Sequence, residues 1–518
     1  MKIVSSAEMR GLEAEAMRRE QGGEIGGRSG FDMMLAAGQA AAGEAIAFAG
    51  LLANRGYPIK RVVVLAGKGN NGGDAWVVAD CISRFARSNN AKFKVELYSV
   101  CQLDELKGDA LRHAQKCSDD VIRHLGVTLL PGDFGDDNVL VIDGLLGTGV
   151  TGNVRGTIRD WITQVNKMNV PVLALDVPSG LDADSGTGDC VIEADLTVTM
   201  GLPKTGLFRG DGPRTCGRLV VGSIGLSHEM LALPQSSLEG FGLDEARRLV
   251  RRRPADGHKG VFGHLLCVCG SSHYGGAAEL SCIGGMRSGA GLVTMAVPES
   301  SLARSPLSSV IFCRFPDARI AEFLPSLLSG KQAVVFGCGV GSDVDPQALE
   351  LLFGSGLPMV LDADGLRLLA SKPEVLPLDF ASPCVLTPHP GEFRALQSGF
   401  GLVSSGDRVA DAVAMSRRTG CVVLLKGRFS VVAAPGEDVA TVNLSGGSSL
   451  STAGTGDVLA GLVGGLLAQG MSAKNAACLG AFVHGLAGDL WAYSPRTMTA
   501  DDLNELLPKA FSMVNPMA

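Results

Sequence analysis

The sequence predicts an α/β fold in two domains, each built on a largely parallel β-sheet. Short apolar runs rich in β-branched residues alternate with helical patterns, and such runs are typical of parallel strands that helices cover on both faces. The alternation stops after about residue 225 and starts again after about residue 243. At roughly 150 residues per domain, a chain of 518 residues has room for two large α/β domains.

The elements follow from these runs in order. In a first domain, 1–225, we predict strands at residues 62–65, 95–100, 139–142, 172–175, 196–200 and 219–221. Residues 226–242 mix Ser, Gly and Pro without clear periodicity, which indicates a linker. In a second domain, 243–518, we predict strands at 264–268, 292–297, 333–336, 359–361, 384–386 and 422–425, a paired strand at 430–433 and two glycine-interrupted apolar helices at the end.

Composition and charge exclude several classes of protein. The net charge of -7 argues against a nucleic-acid partner, because binding to phosphate backbones needs clustered Lys and Arg. We find no secretory signal and no uninterrupted apolar run of the roughly 18 residues that a membrane span needs. Thirteen cysteines without a CxxC pair fit reduced thiols. These observations predict a cytoplasmic protein with no membrane partner.

Four polar segments of the first domain, at 70–74, 143–149, 176–182 and 203–206, follow predicted strands. Open α/β sheets bind ligands at the carboxyl ends of their strands. The glycine-rich segment ending in Asp74 offers backbone N–H groups that could cradle a phosphate. Asp143 and Asp176 directly follow buried strands, where they are either turn caps or functional carboxylates. The convergence of the four segments favours a ligand site.

At these residues the first 225 positions resemble the epimerase domain of bifunctional NAD(P)H-hydrate repair enzymes. The resemblance implies a Rossmann-like three-layer α/β/α sandwich that interconverts the R and S forms of hydrated NADH or NADPH. It implies K⁺ binding by Asn71, Asp143 and Ser179, oxygen-bearing residues that suit a hard cation, and acid/base work by Asp176. The substrate-binding residues that it implies are Asn70, Asn71, Gly72, Gly73, Asp74, Gly147, Thr148, Gly149, Val150, Thr151, Gly152, Asn153 and Asp176. One departure is that Leu35-Ala36 stand where the family often has Glu-Asn.

In the second domain, Thr455-Gly456-Asp457 opens an apolar helix. A helix N-terminus supplies free N–H groups and partial positive charge for a phosphate, and Asp457 could take a proton from an incoming hydroxyl. The segments 337–341, 387–392 and 426–427 also follow predicted strands. An ordinary capped helix would explain the first segment alone, but the set favours phosphoryl transfer.

Residues 243–510 look like the ribokinase-like dehydratase domain of the same repair enzymes. The resemblance implies that a nucleotide, ADP or ATP with Mg²⁺, phosphorylates the hydroxyl of the S hydrate and that loss of phosphate restores NAD(P)H. Asp457 would be the base, with Ala277, Gly339 and His389 near the hydrate. The nucleotide-binding residues that it implies are Lys426, Gly427, Arg428, Phe429, Ser430 and Gly456. The chain departs from the family at Ser448-Ser449-Leu450-Ser451, where Asn-Pro-Gly-Met is usual.

Two other readings stay open at this point. The second domain could belong to a ribokinase-like vitamin or sugar kinase, which would release a stable phosphorylated product. The first domain could be a binding module without turnover, although Asn71, Asp143, Asp176 and Ser179 together favour a catalyst. The resemblance also implies a homo-oligomer and favours ADP, whereas the choice between NADH and NADPH hydrates has no signal in the sequence.

Overall fold

The computed structural model describes residues 1–127, 138–149, 152–305, 307–317, 319–377, 380 and 382–517. The chain divides into two compact units, Met1–Leu238 and Glu239–Ala518. Each unit is built on its own sheet. The boundary therefore falls inside the region 226–242, which the sequence predicted to be a linker.

The first unit has a parallel sheet with the strand order β3-β2-β1-β4-β5-β6-β7. Its elements are α1 (Ser6–Gln21), α2 (Gly30–Asn54), β1 (Arg61–Ala66), α3 (Asn70–Ser88), β2 (Lys94–Ser99), α4 (Gly108–Lys116), β3 (Ile122–Leu125), β4 (Val139–Gly144), α5 (Gly156–Lys167), β5 (Val172–Leu175), β6 (Leu196–Met200), α6 (Gly212–Thr215), β7 (Arg218–Gly222) and α7 (His228–Leu231). All six strands predicted here are present. Strand β3 was not predicted, because the edge sequence Ile-Arg-His-Leu is partly exposed and lacks an apolar run.

Alternate residues of β1 separate the two faces of this sheet. Val62 and Val64 belong to a core that includes α2, α3 and α4, whereas Val63 and Leu65 pack with Trp161 of α5. The helices therefore cover both faces, as the predicted three-layer sandwich requires.

Helix α2 is, within the described part of the chain, the one helix long and apolar enough to cross a membrane by length and composition. Asp32, Gln39 and Glu44 interrupt its apolar run in the sequence. Ala37, Ala41 and Ala45 of this helix are buried in the core of the first unit. One face of α2 therefore packs in this core, and 33% of its apolar window is buried.

The second unit has the strand order β11-β10-β9-β12-β13-β14-β15-β16-β17-β8, parallel from β11 to β15 and antiparallel from β15 to β17. Its elements are β8 (Leu238–Phe241), α8 (Leu243–Leu249), β9 (His264–Val268), α9 (Gly275–Arg287), β10 (Leu292–Pro298), β11 (Ile311–Phe315), α10 (Ile320–Leu328), β12 (Ala333–Phe336), α11 (Gln347–Gly354), β13 (Met359–Leu361), α12 (Ala363–Ser371), β14 (Cys384–Leu386), α13 (Pro390–Gly399), α14 (Arg408–Thr419), β15 (Val422–Leu425), β16 (Val431–Ala433), β17 (Ala440–Asn443), α15 (Thr455–Ala468), α16 (Ala473–Asp489) and α17 (Ala500–Val514).

Two expectations need correction. The supposed linker contains α7 and β8, and β8 joins the second sheet beside β17, so its backbone groups are paired rather than free. A further helix, α17, follows the two apolar helices at the end of the chain. It begins with a capping box formed by Thr499 and Asp502 and is amphipathic, a pattern that glycine and apolar content alone do not reveal.

The glycines inside α15 have a packing role. A Cβ at Gly461 would lie 1.9 Å from the backbone oxygen of Ser281 in α9, and a Cβ at Gly284 in α9 would lie 2.4 Å from the backbone oxygen of Val458. The two helices therefore approach closely through glycine on both sides. This contact fixes the helix whose N-terminus carries Asp457.

Candidate active sites in the two units

The loops at the carboxyl ends of β1 and β4 touch each other in the first unit. A Cβ at Gly67 would lie 1.8 Å from the backbone oxygen of Leu145, so only glycine fits there. The predicted segment Asn70–Asp74 forms the first turn of α3, whose N-cap, Gly69, makes no side-chain cap. The free N–H groups of that turn are consequently available to an anion.

The structure brings the three predicted K⁺ ligands together. Ser179 Oγ donates to Asp143 Oδ1 at 2.6 Å, and the backbone N–H of Ser179 donates to Asp143 Oδ2 at 2.8 Å. Asn71 Nδ2 donates to the backbone oxygen of Leu146 at 2.7 Å, and Ser179 Oγ lies 3.2 Å from the same oxygen. Burial raises the pKa of Asp143 to about 6, against the opposing effect of its bonds from Ser179.

This cluster fits a cation. Asn71 Oδ1 is buried and has no hydrogen-bond partner among the described residues, and an unpaired buried oxygen is costly unless something satisfies it. A carboxylate, an amide, a hydroxyl and a backbone carbonyl form the kind of oxygen set that hard cations prefer.

Asp176 lies at the end of β5 in an unusual backbone conformation, with φ of 64°. Its Oδ1 accepts from the backbone N–H of Met200 at 3.1 Å, from Thr199 Oγ1 at 3.4 Å and from Lys204 Nζ. Lys204 lies in the segment 203–206, one of the four polar segments that follow predicted strands, although no role was predicted for this lysine. Glu13 of α1 also belongs to this group of charges, and no sequence signal pointed to it.

Asp74, predicted to bind substrate, is buried beside the same group. Burial raises its pKa well above the usual value, and the nearby carboxylates of Asp176 and Glu13 act in the same direction. The positive charge of the buried Lys204 therefore acts on three carboxylates, those of Asp176, Glu13 and Asp74, which come from different parts of the fold.

The other predicted substrate residues that the structure describes lie near the same edge of the sheet. A Cβ at Gly147 would lie 3.2 Å from Asn71 Cβ, so this glycine packs against Asn71, one of the residues predicted to bind K⁺. Thr148 is partly buried and Gly149 is exposed. Gly152 and Asn153 border a cavity of about 380 Å³ together with Gly180. Val150 and Thr151 lie outside the described residues.

In the second unit, Asp457 lies in the first turn of α15, after Gly454 with φ of 89°. Asp457, Asp362 and Cys338 have side-chain ligand atoms within 4.8 Å of one another. Burial raises the pKa of Asp457 to about 7, the charge of Asp362 adds to the rise, and Cys338 and Lys426 oppose it. A carboxyl group that titrates near neutral pH is suited to general base catalysis. The trio does not fit Mg²⁺, because Mg²⁺ prefers oxygen ligands to a thiol.

Lys426 pairs with carboxylates in the structure. Its Nζ lies 2.7 Å from Asp362 Oδ1 and 4.0 Å from Glu392 Oε2. Burial alone would lower the pKa of Lys426, but the two carboxylates outweigh burial and raise it. A Cβ at Gly456 would lie 3.3 Å from the same Nζ, so Lys426 reaches the N-terminus of α15. Sequence reasoning assigned no role to Asp362 or Glu392.

His389 is the N-cap of α13. Its Nδ1 accepts from the backbone N–H groups of Gly391 at 2.9 Å and Glu392 at 3.3 Å, which leaves Nε2 to carry the proton, 3.2 Å from Glu392 Oε1. Half of the side chain is exposed. His389 is therefore a helix cap with an accessible edge.

The loop Lys426–Ser430 is held in a strained shape. Phe429 is buried with φ of 54°, and the guanidinium of Arg428 lies 4.1 Å from the centre of its ring. Arg408 donates to the backbone oxygens of Arg428 at 3.1 Å and Lys426 at 3.3 Å. Ser430 Oγ donates to the backbone oxygen of Gly427 at 3.2 Å.

Ala277 and Gly339 are neighbours. A Cβ at Gly339, whose φ is 64°, would lie 3.0 Å from Ala277 Cβ. Gly339 follows β12, Lys426 follows β15, and Ala277 lies in α9 after β9. The predicted dehydratase residues thus lie at the carboxyl edge of one sheet.

Comparisons with known proteins agree on both units. A family model described as NAD(P)H-hydrate dehydratase matches residues 265–509, and one described as YjeF-related protein N-terminus matches residues 30–206. The bifunctional NAD(P)H-hydrate repair enzyme Nnr of Moorella thermoacetica is 37% identical over 487 residues, which cover 89% of this chain and 88% of that protein. The enzyme of the same name from Escherichia coli K12 is 31% identical over 521 residues, 97% and 93% of the two chains.

Among the solved structures that are similar to this chain is that of the ADP/ATP-dependent NAD(P)H-hydrate dehydratase from Bacillus subtilis, co-crystallised with ATP/Mg²⁺. It is 27% identical, covers 54% of this chain and 99% of that chain, and gives a TM-score of 0.48.

Proposed function

The chain belongs to the family of bifunctional NAD(P)H-hydrate repair enzymes. We propose that it converts hydrated NADH and NADPH back to NADH and NADPH by two reactions, one in each unit. The first unit interconverts the R and S hydrates. The second unit uses a nucleotide to dehydrate the S hydrate. The two reactions belong together, because a stereospecific dehydratase clears one epimer only. One family model matches each unit, and the similar relatives carry the name of the repair enzyme, so repair is favoured over a vitamin or sugar kinase.

The observation that carries the dehydratase assignment is Asp457 in the first turn of α15, with a pKa of about 7. In our proposal the nucleotide phosphates bind the free N–H groups of that turn, together with the loop Lys426–Ser430 and Gly456. Asp457 takes the proton from the hydroxyl of the hydrate as that oxygen attacks the terminal phosphate. The bond between that phosphate and the rest of the nucleotide breaks, and the shortened nucleotide leaves. The phosphate then leaves the ring carbon, and the neighbouring ring carbon loses a proton, as the double bond of the nicotinamide ring forms again. Ala277, Gly339 and His389 border the ring.

The metal ion and the choice of nucleotide are part of the proposal. Mg²⁺ bound with the nucleotide would neutralise charge on the phosphates during transfer. We propose ADP as the nucleotide, with ATP as the alternative that the assay below distinguishes. Further parts of the proposal are a cytoplasmic location, a homo-oligomeric state, and no membrane or nucleic-acid partner.

For the epimerase, we assign K⁺ to Asn71, Asp143 and Ser179 and acid/base work to Asp176. The unpaired Asn71 Oδ1 supports the first assignment. The place of Asp176 at the carboxyl end of a central strand supports the second. The substrate would lie along Asn70–Asp74 and residues 147–153.

Absorbance at 340 nm tests both activities at once on a mixture of R and S NADH hydrate with Mg²⁺, K⁺ and either ADP or ATP. Wild type should recover all of the NADH, and Asp457→Asn should recover none. Asp176→Asn should stop when the S form is consumed. If wild type recovers no NADH with either nucleotide and instead accumulates a stable phosphate ester, the chain is a kinase and the proposal is wrong.

A further inference from the structure

The buried charges around Asp176 call for an explanation beyond acid/base work by that residue alone. Lys204 is 1% exposed and Asp176 is 14% exposed, so the ion pair between them is nearly withdrawn from water. Burying a lysine is costly unless it is well paired. Lys204 has no role so far in either proposed reaction.

The hydrogen bonds of Asp176 are divided unequally between its two oxygens. Oδ1 receives the bonds from Met200, Thr199 and Lys204. Among the described residues, no hydrogen bond to Oδ2 is found. One oxygen is therefore anchored, and the other remains free for a ligand.

Lys204 is itself held firmly in place. Its Nζ also donates to the backbone oxygen of Met200 at 2.8 Å. On either side of it, the backbone N–H of Val4 donates to Pro203 at 2.9 Å, and the N–H of Thr205 donates to Val4 at 3.0 Å. The N-terminal segment thus fixes the lysine, although it precedes residues 30–206, the part that the family model matches.

We propose that Lys204 is a positioning residue of the epimerase, which anchors Asp176 Oδ1 and so aims Asp176 Oδ2 at the substrate. Asp176 lies at a backbone φ of 64°, which is uncommon for a residue other than glycine, although Asp adopts it more readily than most. The three bonds to Oδ1 restrain the side chain at this position. Glu13 and Asp74 surround the same lysine, so Lys204 also limits the repulsion that these carboxylates exert on Asp176.

This inference rests on the proposed epimerase function, and the experiment keeps the two apart. Full-length Lys204→Met, Lys204→Arg and wild type are compared for R-to-S exchange of NADH hydrate, with kcat and KM measured separately. Lys167→Met is the matched control, because it removes an exposed lysine from α5 of the same unit. The S-hydrate dehydratase activity of each variant serves as an internal standard for active protein.

We expect Lys204→Met to lower the kcat of exchange about 100-fold, as misplacement of a reacting group by about 1 Å does. KM should change by less than about threefold, because the lysine acts through Asp176 and not on binding, and dehydration of S hydrate should be unchanged. Lys204→Arg keeps the charge but carries a wider, planar group. It should therefore lose about tenfold in kcat at an unchanged KM. Lys167→Met should match wild type.

A folded Lys204→Met with the kcat of wild type would overturn the inference and leave the epimerase function intact. So would a loss that lies entirely in KM. If thermal unfolding shows that Lys204→Met does not fold, Lys204→Arg decides, and a wild-type kcat in that variant overturns the inference. Absence of exchange in wild type overturns the proposed function instead.

Discussion

At the residue scale, the charge of Asp362 adds to the rise that burial causes in the pKa of Asp457. After burial, the charge of Asp362 is the largest influence that raises the pKa of Asp457 to about 7. A base must be ionised to act, so the dehydration rate of wild type should rise through about pH 7 and then level off. In Asp362→Asn that charge is gone, and the inflection should move to lower pH. The measurement is the rate of NADH recovery from S hydrate between pH 5.5 and 8.5.

The control for this series is Asp438→Asn, which removes an exposed aspartate of the same unit. Its profile should coincide with that of wild type. Because Asp362 also pairs with Lys426, the absolute rate of Asp362→Asn should fall as well, and only the position of the inflection reports on Asp457. An inflection that stays in place, or moves to higher pH, would contradict the assignment.

The unpaired oxygen of Asn71 leads to a prediction about ions. Asn71→Ala removes the Oδ1 that we assign to K⁺, while Asp143 and Ser179 remain bonded to each other. We expect the half-saturating K⁺ concentration for epimerisation to rise at least about tenfold, the cost of losing one charge-assisted contact of about 1.4 kcal/mol or more. Potassium titration of the exchange rate at constant ionic strength measures this.

The matched control is Asn89→Ala at the exposed C-terminal end of α3, the same helix. Its K⁺ dependence should equal that of wild type. Equal K⁺ dependence in Asn71→Ala would mean that the oxygen cluster does not hold the ion.

At the element scale, the contact between α9 and α15 determines where Asp457 lies. In Gly461→Ala the new Cβ would meet the backbone oxygen of Ser281 at 1.9 Å. A backbone atom cannot move aside cheaply, and overpacking of this kind costs about 1–3 kcal/mol. We expect the free energy of unfolding of the second unit to fall by that amount, as measured by urea denaturation.

Gly354→Ala is the control for this change. Gly354 ends α11 in the same unit, and a Cβ there would meet nothing within 4 Å. Its stability should stay within about 0.5 kcal/mol of wild type, the usual range for harmless surface changes. If both variants lose the same stability, the loss does not come from the close approach of the two helices, since Ala has the higher helix propensity and would not by itself destabilise either helix.

Elements of this kind also show what the sequence could and could not predict. The buried strands were predictable because their apolar runs are nearly continuous, and β9, β12 and β15 match the predicted bounds. Strand β8 was missed, because its pairing with β17 is a long-range contact without a local pattern. The resemblance supplied Asp457 and Asp176 from their motifs. The effect of Asp362 on Asp457 and the pairing of Lys204 with Asp176 become visible only when distant strand ends meet, and so does the pairing of Glu392 with Lys426.

At the scale of the whole molecule, each unit has its own sheet and its own hydrophobic core. Separate cores allow separate unfolding transitions, and two-state behaviour is not expected for a chain of two such units. The destabilising variant Gly461→Ala identifies the transition of the second unit, because the contact that it disturbs lies wholly within that unit.

Binding of the nucleotide should stabilise the second unit alone. A ligand that binds only the native state stabilises it by about 2.7 kcal/mol at about 100 times its Kd, which corresponds to roughly 5 °C or more in Tm for a unit of this size. ADP with Mg²⁺ should therefore raise the transition that Gly461→Ala lowers and leave the other unchanged in differential scanning calorimetry. Since the N-terminus of α15 and the loop Lys426–Ser430 both lie in the second unit, a shift confined to the first unit would exclude them as the nucleotide site. A single transition that moves as a whole would instead mean that the two units unfold together.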